Sequence, residues 1–230
     1  MRIEEVLRLL QAEYGQREWT PDRDPISTLI ATVLSQNTSD ANSNRAFKSL
    51  RSAFDTWDAV ADAGTHEIAG AIRLGGLAEV KAKRIRLILE KIRVERGALD
   101  LSFLEAMPLD EARAWLRQLP GVGPKTAGCV LLFSLGMPAL PVDTHVLRVA
   151  RRLGLIGPGV NAERAHELLE AMVPPAQVYS FHLDMIEHGR RVCKAQRPRC
   201  HLCVLQEPCP GDVHKQVDAR RPAAKHAGFA

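Results

Sequence analysis

Residues 119–127 read Leu119-Pro120-Gly121-Val122-Gly123-Pro124-Lys125-Thr126-Ala127. The Gly-Val-Gly run lies between two segments of helical periodicity, so it predicts a three-residue hairpin that joins two helices. Glycine permits positive φ and lets a ligand approach the backbone closely. A helix beginning at about Pro124 has free N–H groups at its N-terminus, where a phosphate binds favourably. A plain turn between helices is the alternative, but the whole string favours a phosphate-binding hairpin at Gly121, Val122 and Gly123.

Helical periodicity continues on both sides of the hairpin, and no segment alternates as a strand does. The sequence therefore predicts an all-α fold. A serine and a glutamate, Ser102 and Glu105, form the pattern of a capping box. The helices are predicted at about residues 3–14, 26–34, 39–50, 80–94, 110–118, 124–135, 144–153, 161–172 and 174–189.

Composition limits the functional classes. The chain has 230 residues, of which 46% are hydrophobic and 25% charged, as is usual for a globular protein. The longest apolar run, Val130 to Leu135, is interrupted by Ser134 and is far too short to cross a membrane. Glutamates at positions 4 and 5 argue against a signal peptide. A net charge of +4 does not by itself indicate a nucleic-acid partner. A reducing, cytoplasmic location is expected.

Four of the five cysteines lie within seventeen residues, with the spacing C-x6-C-x2-C-x5-C. Thiolates at this density usually hold metal. On spacing alone, a zinc site and a [4Fe–4S] cluster fit equally well. The four cysteines are Cys193, Cys200, Cys203 and Cys209. The fifth, Cys129, has apolar neighbours and is expected in the core.

The hairpin string is followed by Val142-Asp143-Thr144-His145, with Asp143 eighteen residues after Lys125. Together these motifs resemble the helix-hairpin-helix DNA glycosylase superfamily, and the cysteine spacing resembles its endonuclease III branch. The resemblance runs from about Asp24 to Cys209. It implies a six-helix barrel with the hairpin at about 21–137, and a helical cluster domain formed by 1–20 and 138–211. Residues 212–230 are expected to be a disordered basic tail.

The resemblance also implies the chemistry. Lys125 matches the family's nucleophile, which makes an enzyme of this branch both a glycosylase and a β-lyase acting through a Schiff base. Asp143 matches the catalytic carboxylate, although an N-cap for the next helix is the alternative from residue type alone. His145 is expected to be a packed or surface residue. The four cysteines are implied to bind a [4Fe–4S] cluster.

Two segments resemble the loops that fill the gap left by a flipped base, and they contain Asn37 and Leu77; helix caps and a turn are the alternative. The family's usual bacterial pattern has glutamine where Asn37 stands. A basic run next to the cysteines favours phosphate contacts by Arg190, Lys194, Arg197 and Arg199. A second basic group has the pattern of a solvated helix face and consists of Lys81, Lys83, Arg84 and Arg86.

The function predicted is base-excision repair of damaged, oxidised pyrimidines in double-stranded DNA by a monomeric enzyme that needs no membrane. A related glycosylase with another damaged or mismatched base is one alternative. A non-catalytic DNA-binding module is another, although binding alone requires neither Lys125 nor Asp143.

Overall fold

The computed structural model describes residues 2–211, and helix is the regular secondary structure found in that range. The predicted all-α class is confirmed. The predicted tail, 212–230, lies outside the described residues. The α-helices are α1 (Ile3–Tyr14), α2 (Pro25–Ser35), α3 (Asp40–Ala53), α4 (Trp57–Asp62), α5 (Thr65–Ile72), α6 (Ala78–Arg96), α7 (Leu109–Arg117), α8 (Pro124–Leu135), α9 (Thr144–Arg152), α10 (Ala162–Met172) and α11 (Val178–Arg191). Short 3₁₀ turns lie at Arg73–Gly75, Ser102–Ala106, Pro175–Gln177 and Cys200–Leu202.

The chain divides into two compact units. One is the continuous segment Glu18–Pro141, which contains α2 to α8. The other combines the segment up to Arg17 with the chain from Val142 onward, so that α1 belongs with α9, α10 and α11. Among the described residues, no helix has the length and apolar content needed to span a membrane.

Helix α2 is the centre of the continuous unit. Asp24 caps it by accepting the N–H of Ser27 at 2.9 Å, and proline occupies its first position. Four of its apolar side chains are fully buried, namely Leu29, Ile30, Val33 and Leu34. It packs against α8, where the buried Ser134 hydroxyl donates to Oγ1 of Thr28 at 2.7 Å. This hydrogen bond attaches the C-terminal end of α8 to the first turn of α2.

The predicted capping box at Ser102 is wrong. Residues Ser102–Ala106 form a 3₁₀ turn, in which Ser102 donates its N–H to Asp100 at 3.0 Å and its hydroxyl to the same carboxylate at 2.6 Å. The serine is thus a donor to the residue two positions earlier instead of the acceptor at a helix start. Helices α4 and α5 were not predicted from the sequence.

Helix α11 organises the second unit. Arg17, which follows α1, donates to the buried Asp184 at 2.7 Å and also pairs with Glu187. Burial raises the pKa of Asp184, although Arg17 opposes this effect. The Tyr14 hydroxyl lies 2.9 Å from Nδ1 of His188. These contacts hold α1 against a helix that lies more than 160 residues later in the sequence.

Candidate functional site

The predicted hairpin joins α7 to α8 through a tight turn. The N–H of Val122 donates to the carbonyl of Leu119 at 3.1 Å, and Gly121 has a φ of +71°. With a proline before it, this glycine fits a type II turn, whose third residue requires positive φ. A Cβ at Gly121 would lie 2.3 Å from Nε of Arg84. Any other residue there would strain the backbone and displace the arginine.

Lys125 is the second residue of α8. The helix begins at Pro124 with Gly123 as its N-cap, so the N–H groups of its first turn have no acceptor within the helix. Lys125 is partly buried, and within residues 2–211 its ammonium has no hydrogen-bond or ion-pair partner. Its side chain is therefore available to a ligand at a helix end that attracts anions.

Two loops of the same unit contain strained, exposed residues. Asn37 in the first loop (residues 36–39) has a φ of +54°, and Leu77 in the second loop (residues 76–77) has a φ of +51°. Leu77 is 57% exposed although it is apolar. Left-handed backbone costs a residue such as leucine about 1–2 kcal/mol. Strain of this kind is concentrated at functional segments.

Gln36 connects the first loop to the hairpin. Its amide N–H donates to the carbonyl of Gly121 at 3.3 Å, and its Oε1 accepts from Nη1 of Arg84 at 2.5 Å. Asn37 was predicted from the sequence as a site residue, whereas Gln36 was not. The two side-chain amides are adjacent in sequence, but Gln36 points toward the hairpin and Asn37 is exposed. The left-handed backbone of Asn37 accompanies this difference, and no sequence signal predicts it.

Lys81 does not belong to a solvated face, so that prediction is wrong. The side chain is 2% exposed, and its Nζ donates to the carbonyls of Leu34 at 2.7 Å and Gly75 at 2.9 Å. Burial lowers the pKa of this amine, and Arg84 lowers it further. The acceptors come from two other segments, which periodicity within α6 does not reveal. Lys83, two residues later, is exposed as predicted.

Asp143 is the N-cap of α9. Its Oδ1 accepts the N–H of Val146 at 2.8 Å, and the preceding residue, Val142, donates its N–H to Nε2 of His166 at 3.0 Å. The second carboxylate oxygen has no partner in the described part of the chain. Capping therefore uses one oxygen and leaves the other for a second task. His145 is partly buried, and its Nδ1 lies 3.1 Å from a guanidinium nitrogen on its own helix.

The four C-terminal cysteines line one cavity, together with residues that include Arg152 and His188. Each of these cysteines is partly buried, whereas Cys129 is buried elsewhere, as expected for a core residue. Burial, with smaller contributions from the other three cysteines, raises the pKa of the Cys203 thiol to about 11. Four thiolates in such a place need a cation to compensate their charge.

Two arginines of α9 bind the main chain of the cysteine loop (residues 193–209). Arg148 donates to the carbonyl of Cys193 at 3.0 Å. Arg152 donates to the carbonyls of Lys194 at 2.6 Å and Ala195 at 3.0 Å. The loop is therefore attached to the same helix that Asp143 caps.

The basic residues predicted to bind phosphate differ in exposure. Arg190, Arg197 and Arg199 are exposed, whereas Lys194 is partly buried. Arg197 has a φ of +50°, the third non-glycine residue with positive φ among those described. The main chain of this region is thus held by α9 in a strained conformation that leaves two arginines of the cysteine loop in solvent.

The structure groups the predicted site residues in two sets. The hairpin, Lys125 and both loops lie in Glu18–Pro141, where Gln36 and Arg84 link the first loop to the hairpin. Asp143 and the cysteine loop lie in the other unit, joined through α9.

Comparison with protein families gives a match over residues 30–175 to the HhH-GPD superfamily of base excision DNA repair proteins. Endonuclease III of Thermotoga maritima is 35% identical over 209 residues, which cover 90% of this chain and 92% of the relative. An Arabidopsis thaliana protein with a provisional DNA glycosylase name is 37% identical over 171 residues. That match covers 74% of this chain but 58% of the plant protein, so the chain spans less than two thirds of it.

Among solved structures, a trapped covalent intermediate of endonuclease III with DNA superposes with a TM-score of 0.79 at 31% sequence identity. The match covers 93% of this chain and 97% of that one. Both units of the chain are therefore represented in the relative.

Proposed function

The chain belongs to the HhH-GPD superfamily of base excision DNA repair proteins, and we propose that its substrates are oxidised pyrimidines in duplex DNA. Its activity is that of a DNA glycosylase with abasic-site lyase function.

The free ammonium of Lys125 is the observation that supports this chemistry most strongly. Lys125 is partly buried, unlike the solvent-exposed Lys83, and yet it has no acid or carbonyl partner among the described residues. It follows a hairpin whose N–H groups suit a phosphate. A DNA phosphate bound at the hairpin would bring a nucleotide to this amine.

We assign Lys125 as the nucleophile. The neutral amine forms a bond to C1′ of the damaged nucleotide as the bond from C1′ to the base breaks, and the base leaves with the electron pair and takes up a proton. The sugar ring then opens at its oxygen to give a Schiff base. Removal of a proton from C2′ expels the 3′ phosphate, and water finally releases the lysine.

We assign Asp143 to the step in which the base leaves. Positive charge develops on the sugar at that point, and a carboxylate stabilises it or transfers a proton. The oxygen not used in capping α9 is suited to this role.

The substrate assignment predicts a specific pattern of cutting. The protein is expected to nick duplexes that contain thymine glycol or an abasic site and to leave a uracil duplex intact. Denaturing gels of each labelled duplex measure the result. Cutting at uracil but not at thymine glycol would overturn the assignment of oxidised pyrimidines as substrates. DNA binding without any cutting would identify a non-catalytic module instead.

We propose double-stranded DNA as the partner and four basic residues as phosphate contacts: Arg190, Lys194, Arg197 and Arg199. Exposure of three of them supports this proposal. Attachment of the cysteine loop to α9 keeps two of these arginines at a defined place, which lowers the entropy lost on binding. The hairpin residues Gly121, Val122 and Gly123 are proposed as the second contact with the backbone.

We propose that Cys193, Cys200, Cys203 and Cys209 hold a [4Fe–4S] cluster within the domain formed by 1–20 and 138–211. The shared cavity and the thiol donors fit such a group. The spacing C-x6-C-x2-C-x5-C, which resembles that of the endonuclease III branch, favours the cluster over a zinc ion. When bound, the cluster would cross-link the loop through iron–thiolate bonds.

The cluster assignment predicts the metal content. Anaerobically purified protein is expected to be yellow-brown and to contain about four iron atoms per chain. Cys200→Ser is expected to lose most of this iron, whereas Cys129→Ser, a change at the buried cysteine of the other unit, keeps it. Metal analysis with one zinc and no iron would overturn the assignment.

A further inference from the structure

The burial of Lys81 is not explained by an ion pair. Lysine is rarely buried fully without a partner of opposite charge, yet Lys81 is 2% exposed and has no acidic partner in the described part of the chain. Desolvation of an ammonium is costly, so the contacts that it makes must be worth retaining. Its inaccessibility also argues against direct contact with DNA.

Its two acceptors are carbonyls that have few other donors. Leu34 lies in the last turn of α2, where carbonyls lack N–H partners within the helix and carry the negative end of its dipole. No basic residue of α2 itself lies in that turn. Gly75 is the last residue of a 3₁₀ turn. One ammonium therefore caps the C-terminal ends of two helical segments.

Each carbonyl lies within two residues of the start of one of the strained loops. Leu34 is three residues before Asn37, and Gly75 is two residues before Leu77. Only two or three residues of main chain lead from each acceptor carbonyl to the exposed side chain that follows it. The two hydrogen bonds of the Lys81 Nζ therefore hold the two loops at a defined spacing. Charge alone does not explain this arrangement, because the neighbouring Lys83 remains in solvent.

We propose that Lys81 is a positioning residue that holds the first and second loops at the spacing required for Asn37 and Leu77 to enter a duplex together. The inference rests on the proposed function and on the resemblance of the two loops to those that fill the gap left by an extruded nucleotide. Extrusion costs a few kcal/mol of stacking and pairing. Side chains recover part of that cost only when they are already held in place.

The first measurement compares two reactions of each variant under single turnover: base removal from the lesion duplex that the wild type processes fastest, and cutting at a preformed abasic site. Asn37→Ala with Leu77→Ala is expected to slow base removal about 30-fold and cutting at the abasic site less than about 3-fold, because that site has no base to extrude. Leu74→Ala, at another exposed leucine, is the control and is expected to change neither rate.

Lys81→Met keeps the length of the side chain and removes its donors. It is expected to slow base removal about 10- to 30-fold while cutting at the abasic site changes less than about 3-fold. Lys83→Met is the matched control on the exposed side of the same helix, with both rates unchanged. Lys81→Gln retains a donor and is expected to recover part of the loss.

A double-mutant cycle separates positioning from general stability. In the Asn37→Ala and Leu77→Ala background, Lys81→Met is expected to add less than about 3-fold, because the side chains through which it acts are absent. An independent 10- to 30-fold loss in that background would overturn the proposal. Equal losses of rate in base removal and in cutting at the abasic site would also overturn it. Both rates are expressed per active molecule, counted as the molecules that form a trapped adduct with abasic DNA.

Thermal unfolding of each variant completes the test. If Lys81→Met does not fold, Lys81→Gln takes its place in the same cycle. Its smaller loss is then expected to disappear in the Asn37→Ala and Leu77→Ala background, and an undiminished loss there would overturn the proposal. Wild-type protein that neither removes a base nor cuts an abasic site would refute the proposed function. Wild-type activity that Lys81→Met leaves unchanged would refute only the role of Lys81.

Discussion

Lys125→Ala is expected to abolish covalent trapping by borohydride and to slow strand cutting by about a thousand-fold or more, while DNA binding persists. The reason is that the variant keeps the hairpin and the N-terminus of α8 but has no amine to attack C1′. Borohydride reduces the Schiff base to a stable protein–DNA adduct, which denaturing gels detect. Loss of a nucleophile alone typically removes most of an enzyme's rate enhancement.

Lys83→Ala is the control for this experiment. It removes one positive charge from an exposed lysine of the same unit, so it separates the loss of a nucleophile from the loss of a charge. It is expected to give trapping at the wild-type level. A full yield of adduct from Lys125→Ala would mean that another amine forms the Schiff base.

Asp143→Asn is expected to slow base removal about 10²- to 10⁴-fold with little change in the melting temperature. Asparagine caps helices about as well as aspartate, so the hydrogen bond to the N–H of Val146 should survive. The negative charge is what the variant lacks. Single-turnover kinetics and thermal unfolding measure the two quantities separately.

Asp24→Asn is the matched control, because Asp24 caps α2 through the same kind of hydrogen bond to Ser27. The substitution is chemically identical, and it is expected to leave the rate unchanged. A parallel fall in rate and melting temperature for Asp143→Asn would show that capping is the whole role of this aspartate.

Local features of the fold were predictable from the sequence. The turn at Gly121 and the start of α2 depend on a few adjacent residues. The turn lies at the predicted position, and α2 begins at Pro25, one residue before the predicted start. The error at Ser102 is of the opposite kind. Its pattern fits a helix start equally well, but the carboxylate of Asp100 offers a nearer acceptor and produces a 3₁₀ turn.

Residues that act through distant main-chain groups were not predictable in this way. Lys81 is buried because carbonyls of Leu34 and Gly75 accept its protons, and Leu34 lies 47 residues away in the chain. Gln36 has the same kind of long-range partner in Gly121. Periodicity describes which face of a helix is apolar, but it does not reveal which backbone carbonyls another segment leaves without a donor.

The pairing of α1 with α11 has a consequence for the order of folding. During synthesis α1 is made early, but Asp184, the partner of Arg17, is made 167 residues later. The continuous unit Glu18–Pro141 contains its own core in the meantime and can fold first. When α1 then pairs with α11, the chain between them is already compact because Glu18–Pro141 has folded. The effective loop that must close is shorter, which lowers the entropy cost of closure. A growing chain would therefore hold an unpaired first helix until α11 emerges, and this interval is when that helix is most exposed to proteolysis.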